Sequence, residues 1–185
     1  MIFCFASLIG SAMVSPVEAA DHLHKQPEGF MTPAIDGAIS RTEWATAGAV
    51  FSTDEAATGV EALFFGWNAT ELFLGLQLNR ALPDLTVTIW RQGNGKQPGA
   101  LAARMKLENG QCIEFTQAGR PLPMRGLRSA RTEKINEFAF SRQVLGLLAG
   151  EPLWLQIESN FGRFPQRPVS TRLPFERSSA AAAGS

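Results

Sequence analysis

Trp90 and Trp154 are the residues whose type and setting best suit ligand chemistry. In Leu85-Thr86-Val87-Thr88-Ile89-Trp90 and Leu153-Trp154-Leu155-Gln156-Ile157-Glu158, apolar and polar positions alternate, and each Trp falls on the polar side. A strand turns successive side chains to opposite faces, so Trp90 travels with Thr86 and Thr88, and Trp154 with Gln156 and Glu158. If the two strands share a sheet, both indoles lie on one outer face, near Gln77 and Asn79 of a third strand. Indole rings stack on the apolar C–H face of a pyranose while hydroxyls, amides and carboxylates take its polar rim. Ligand sites commonly divide the work this way, with apolar walls and a few placed polar groups. Each stack contributes about 1 kcal/mol beyond area burial, by analogy with aromatic pairs, which implies micromolar to millimolar affinity. The opposing reading is that loops such as Arg120–Arg131 cover this face and make both Trp core residues. Trp44 and Trp67 read as core plugs.

Other chemistry finds little support. The only His residues, His22 and His24, fall in a polar segment that reads as a linker, so a Ser-His-Asp arrangement on the folded body is not expected. Glu61 and Glu71 can be drawn as a carboxylate pair, but nothing marks them as acid and base at glycosidase spacing. Gly93-Asn94-Gly95 reads as a hairpin turn rather than a phosphate cradle. Met105 and Met124 have no His partner for haem ligation. Asp36, Asp54 and Asp84 are oxygen donors of the kind calcium takes, without the spacing of a ligand set. The reading is therefore non-catalytic, with no cofactor and no metal. Asn68-Ala69-Thr70 matches a glycosylation acceptor that only a eukaryotic secretory context would use.

Bulk properties narrow the class further. The chain has 185 residues, 45% hydrophobic and 18% charged, which suits a globular domain with a real core. Lys+Arg and Asp+Glu balance at 17 each, so no global basic field favours nucleic acid. Arg120, Arg125, Arg128, Arg131 and Lys134 gather locally. They read as a solvated loop, with an acidic or phosphorylated ligand the minority reading. Residues 1–20 read as a secretory signal peptide: Met1 to Val14 is uncharged and too short for a membrane span, and Val17-Glu18-Ala19 offers small residues for cleavage. Export to the periplasm or beyond the cell follows, with no membrane span once the signal is removed. Residues 21–33 read as a linker and residues 177–185 as a disordered tail. With Cys4 in the signal, Cys112 is left as a lone thiol. The absence of Tyr, against 13 Phe and 4 Trp, weakens the sugar reading slightly, because sugar sites often use the phenol.

The elements that must position these residues read as short strands over 34–176. Leu72, Leu74, Leu76 and Leu78 form one face of a strand, with Phe73, Gly75, Gln77 and Asn79 opposite. Further strands are expected at Val60–Gly66, Leu101–Leu107, Cys112–Thr116, Ile135–Phe140 and Val169–Phe175, the last at an edge because Pro174 cannot donate to a ladder. The pattern predicts an all-β, antiparallel two-sheet sandwich, immunoglobulin-like or jelly-roll-like, with one or two short helical turns. Ser40 to Glu43 fits a capping box that would set Trp44 at one end of the sandwich. Ser141 would cap a second turn ending at Gly146.

Ile35-Asp36-Gly37 with Glu43-Trp44, then Phe65-Gly66-Trp67-Asn68, then Glu71-Leu72-Phe73-Leu74-Gly75-Leu76, and last Phe138-Ala139-Phe140-Ser141 with Leu145-Gly146, resemble the family 9 carbohydrate-binding module group and its DOMON-like relatives. The set looks closest to the β-sandwich domain found C-terminal to family 57 glycoside hydrolases and in glucodextranase, and spans roughly Ala34 to Glu176. Asn68 stands where relatives usually have Asp, and Phe73 where they often have Tyr. Asp36-Gly37 and the Trp67 turn are architectural in the family, so they transfer a fold rather than a ligand. The resemblance implies a carbohydrate-binding accessory to a glycan-degrading enzyme. Two expectations follow: an exported module binding a glycan, with α-glucan the candidate, or an exported structural or adaptor domain. The adaptor would hold an envelope protein through a sheet edge or the Arg120–Lys134 loop.

Overall fold

Alternating apolar residues in short runs, punctuated by turn formers, build twelve strands in a computed structural model. It describes residues 22–53, 58–92, 97–109 and 111–172. The expected signal, the tail, Asp54, Gly93-Asn94-Gly95 and Pro174 lie outside the described residues. The first sheet, A, has the order β1-β2-β3-β4-β10-β9: His22–Lys25, Gly48–Phe51, Val60–Trp67, Glu71–Leu78, Ile135–Ser141 and Leu127–Arg131. The second, B, runs β12-β11-β5-β6-β7-β8: Gly162–Arg172, Pro152–Ser159, Asp84–Arg91, Ala100–Glu108, Gln111–Gln117 and Arg120–Pro121. Every named pairing is antiparallel. The chain is thus the all-β two-sheet sandwich that the alternation implied.

The core lies between the sheets. Leu63, Phe65, Leu72, Leu74, Leu76 and Leu78 from sheet A meet Val87, Ile89, Met105, Leu155 and Ile157 from sheet B, and none is more than 1% exposed. Each apolar side chain so buried stabilises the fold by roughly 1.5–3 kcal/mol.

Part of the other face of sheet A is buried as well, which alternation alone does not reveal. Phe73, expected outward, is 0% exposed and packs with Met31, Trp44, Ala47 and Ala139 in a second cluster. The cover is the segment 30–47. Its first residues belong to the stretch 21–33 expected as a linker; that stretch contains strand β1 and ties to sheet A where the Met31 amide donates to Trp67 O at 2.9 Å. Two glycines let it approach. A Cβ on Gly66 would collide with Met31 Sδ, and one on Gly75 would lie 3.0 Å from the Trp44 ring and 3.1 Å from Ile39 Cδ1. Trp44 therefore lies across the outer face of sheet A rather than at the end of the sandwich.

One carboxylate pins this cover. Glu137, on β10 and 0% exposed, accepts from the Asp36 amide at 3.1 Å, the Gly37 amide at 2.6 Å and Trp44 Nε1 at 3.2 Å. Gly37 has φ +89°, a conformation that favours glycine, and Asp36 Oδ1 closes the turn by accepting from the Ala38 amide at 2.9 Å. The Ser40–Glu43 box forms in part. Ser40 Oγ accepts from the Glu43 amide, while the Glu43 carboxylate accepts from the Ser40 hydroxyl rather than from its amide as anticipated. The second turn is a four-residue helix, α1 (Arg142–Leu145), capped by Ser141 and ended by Gly146 in the left-handed region.

Candidate functional site

Strands β5 and β11 pair directly, with Trp154 opposite Trp90, Gln156 opposite Thr88 and Glu158 opposite Thr86. Leu153, Leu155 and Ile157 enter the core, so by alternation these six residues share the outer face of sheet B. Register continues the polar ladder onto β6, where Arg104 sits opposite Thr88 and Lys106 opposite Thr86. The exposed Arg104 and Glu158, the half-buried Thr88 and Gln156, and the half-buried Trp90 form a strip with an aromatic at one end. The Lys106 ammonium is held above its ordinary value by its hydrogen bond to Glu108 and then by that residue's charge. Glu158 lies 3.8 Å from Arg163.

Three placements depart from the sequence reading. Gln77 and Asn79 lie on and just after β4, in sheet A, and Gln77 bonds Glu61 at 2.6 Å, so they are not on the tryptophan face. Trp154 is only 6% exposed, and Thr86 only 8%. The Arg120–Arg131 stretch does not cover the face. It forms β8, a 3-10 turn at Met124–Gly126 and β9, crossing from the far edge of sheet B to sheet A. Within it, Arg128 is committed to Glu71 in a two-pronged pair at 2.8 Å, and Arg131 donates to Leu82 O at 3.0 Å.

Strand β12 shapes the border of the strip. Leu155 pairs with Val169 but Ile157 with Phe164, so residues 165–168 bulge out of the ladder. Pro165 and Pro168 have no N–H to donate, which suits an edge bulge. Gln156 Nε2 is held by Pro165 O at 3.0 Å and Gln166 O at 3.2 Å.

Trp154 also borders a second feature. A cleft of about 390 Å³ opens beside it, lined among others by Gln26, Trp67, Ser170, Thr171 and Arg172. Gln26 Nε2 donates to Ser170 O at 3.1 Å and bridges the β1 side of sheet A to the β12 edge of sheet B. Three residues of the lining also carry a buried polar atom without a hydrogen-bond partner, Trp67 Nε1, Trp154 Nε1 and Thr171 Oγ1, each closed to solvent. Arg91 Nε and Glu151 Oε1 are likewise buried and unpartnered. Register sets Arg91, Trp154 and Thr171 at one end of sheet B, next to Glu151, and the shared cleft brings Trp67 of sheet A to the same end. Trp67 is in the core, as the plug reading expects, and no sequence signal marks Thr171 or a donor that lacks a partner.

The remaining candidates are separated by the fold. Met105 is buried in the core while Met124 is 54% exposed. Asp36 is tied into the cover of sheet A, whereas Asp84 starts β5 in sheet B. Among the described residues, no group of three or more His, Cys, Asp or Glu side chains is disposed to hold a metal ion, and no helix is long and apolar enough to cross a membrane. The Asn68 side chain is an acceptor for the Thr70 amide, the Glu71 amide and the Thr70 hydroxyl in the β3–β4 turn. This turn needs only an oxygen, so Asn serves as Asp would. No family model matches the chain, and no curated protein matches its sequence.

Proposed function

We propose that this chain is a non-catalytic, exported glycan-binding module that holds a saccharide on the outer face of sheet B. The observation that carries the reading is the β5–β11 register, which sets Trp90 beside Trp154 and lines the next two rungs with Thr88–Gln156 and Thr86–Glu158. Trp90 is the stacking residue, since it is half-buried and so retains an open surface. Trp154 backs it. The Thr88 hydroxyl, the Gln156 carbonyl oxygen (its NH2 group being held by Pro165 and Gln166), the Arg104 guanidinium and the Glu158 carboxylate match the donors and acceptors of a sugar rim.

The burial of Trp154 determines the experiment. Removing a buried Trp costs roughly 3–5 kcal/mol of stability, so a variant lacking both Trp would confuse unfolding with lost binding. Trp90→Ala alone should weaken retardation in gels containing α-glucan or another retained polysaccharide, by about tenfold in affinity if the stack is worth roughly 1.4 kcal/mol. Its melting temperature should stay close to that of the parent. Unchanged retardation, or a parent chain retained by no polysaccharide in a broad array, overturns the reading.

A second reading, a protein-docking adaptor, draws on Met124 and Arg125, which stand exposed together between β8 and β9. Its test uses Arg125→Glu, because Arg128→Glu would also break the pair with Glu71. Loss of a specific co-purifying protein would support it, and unaltered capture would count against it.

A further inference from the structure

We infer that strand β9 is an open edge that accepts an extended acidic segment of another protein, added to the six strands of sheet A. The inference rests on the adaptor reading above and gives it a surface and a partner; the saccharide face of sheet B plays no part in it. The two sheets end in four edge strands, β1 and β9 in sheet A and β12 and β8 in sheet B. Unpaired edge groups are a hazard that native folds blunt with short strands, bulges and Pro, and three of these edges are blunted. β1 has 4 residues and a register shift between Leu23 and Lys25. β12 bulges at residues 165–168 and carries Pro165 and Pro168. β8 has 2 residues and ends on Pro121. β9 has 5 residues, no Pro, and an unbroken register against β10 from Leu127 to Arg131.

The hairpin fixes which groups of β9 are open. The Thr132 amide donates to Ile135 O at 2.8 Å, so these two residues are a bonded pair. Antiparallel ladders alternate bonded and unbonded pairs, so Ala130 and Arg128 bond to β10 opposite Glu137 and Ala139. Leu127, Ser129 and Arg131 therefore turn their backbone groups away from β10. The Leu127 amide is used locally, donating to Met124 O. Among the described residues, no other segment bonds the backbone of Ser129 or Arg131. The cover of sheet A passes over one end of the strand, since a Cβ on Gly37 would lie 3.6 Å from Arg131 C. The exposed Ser129 is the middle of the free stretch.

The surroundings say what fits. Residues 120–134 carry Arg120, Arg125, Arg128, Arg131 and Lys134 against a single acid, Glu133. Arg125 and Lys134 are exposed and make no salt bridge among the described residues. Arg128, opposite Ala139 on the outer face, keeps 55% of its side chain exposed although it pairs with Glu71. On the other side, Leu127, Leu122 and Cys112 are half-buried against the margin of the main core. A strand added here turns successive side chains to these two sides, acids beside Arg128 and branched apolar residues beside Leu127. A second copy of this chain would bring the same basic residues to the seam, and like charges across a strand pair are unfavourable. The charges that keep copies apart are the ones that favour an acidic strand.

The probe is an end-blocked octapeptide alternating Glu and Val, with one alternating Lys and Val as the control, followed by fluorescence anisotropy and by NMR of the β9 amides. The acidic peptide should bind about tenfold more tightly than the basic one. The Ser129 amide should shift and gain protection from exchange. Methylating alternate amides of the acidic peptide gives two versions, and strand addition requires that one lose about tenfold in affinity while the other binds as the parent does. Ser129→Pro removes a donor that β10 does not use, so it should cut binding about tenfold with an unchanged urea midpoint. Arg125→Glu combined with Lys134→Glu should weaken the acidic peptide several-fold. Equal affinity for the two peptides, equal effects of the two methylation patterns, or a Ser129 amide indifferent to the acidic peptide overturns the inference. A Ser129 amide that shifts with protein concentration alone, together with dimers in sedimentation, also overturns it, by giving the edge to a second copy. If Arg125→Glu abolishes capture of a co-purifying protein and Ser129→Pro leaves that capture intact, the adaptor reading survives and the β9 edge falls. If Ser129→Pro abolishes peptide binding but Arg125→Glu and Ser129→Pro both leave the captured protein unchanged, the edge survives and the adaptor reading falls.

Discussion

Replacing Glu137 should release the segment that covers sheet A. In Glu137→Ala the Gly37 amide and Trp44 Nε1 lose their acceptor in a buried setting, while the Asp36 amide, in a part-buried bond, can turn to water. Two unsatisfied buried donors at roughly 1–3 kcal/mol each set the loss at about 4 kcal/mol. At roughly 2–4 °C per kcal/mol for a chain of this size, the melting temperature should fall by about 8–16 °C. Glu137→Gln separates hydrogen bonding from packing. Its single oxygen can still serve both amides, as Oε2 does now, but its NH2 group would face the Trp44 N–H, so only about 1–3 kcal/mol should be lost. Urea unfolding followed by circular dichroism measures both values. Limited trypsin digestion supplies the local readout, because Arg41 lies exposed within the cover and should be cut first in Glu137→Ala. A loss below about 1 kcal/mol in Glu137→Ala, or equal losses in the two variants, would refute the account of this carboxylate as a three-bond anchor.

Two further outcomes follow from local geometry. Asn68→Ala should cost about 1–2 kcal/mol in urea unfolding by stripping the β3–β4 turn of its acceptor, whereas Asn68→Asp should be nearly neutral; equal losses would sink the acceptor argument. Burial pushes the Cys112 thiol above its ordinary value, the hydrogen bond it gives Glu114 O opposes this, and the Glu114 charge adds to it. Folding therefore favours the protonated thiol. This contribution to stability is complete below the unfolded thiol value and disappears as pH rises through the folded one. In a chain carrying Cys4→Ser, alkylation by iodoacetamide should consequently lag in the native protein relative to the urea-unfolded one as pH is raised, and equal pH profiles would contradict it.

What was legible in the sequence was legible for a local reason. A strand alternates its side chains with period two, so Leu72, Leu74, Leu76 and Leu78 declared an inward face without knowledge of any neighbour. Ser141 and Gly146 marked α1 because caps are satisfied within a few residues. The polar faces of the strands bearing Trp90 and Trp154 could be named in the same way, but their direct pairing and its register could not. Phe73 could not be placed, since its outward position became interior only when residues 30–47 folded over Gly66 and Gly75. Nothing in the sequence marks Glu137, one acid in an apolar run, because its three donors lie about a hundred positions away.

The same division runs through the candidate site. Alternation in the chain determined that Trp90 and Trp154 point away from the Leu and Ile core. Tertiary structure alone decided that Trp154 is closed over, that Gln77 and Asn79 belong to the other sheet, and that Trp67 and Thr171 meet Trp154 at a shared cleft. The physical reason is that orientation along a strand is set by covalent geometry within two residues. Burial and hydrogen-bond satisfaction depend instead on which distant segment arrives, and on whether it brings an acceptor.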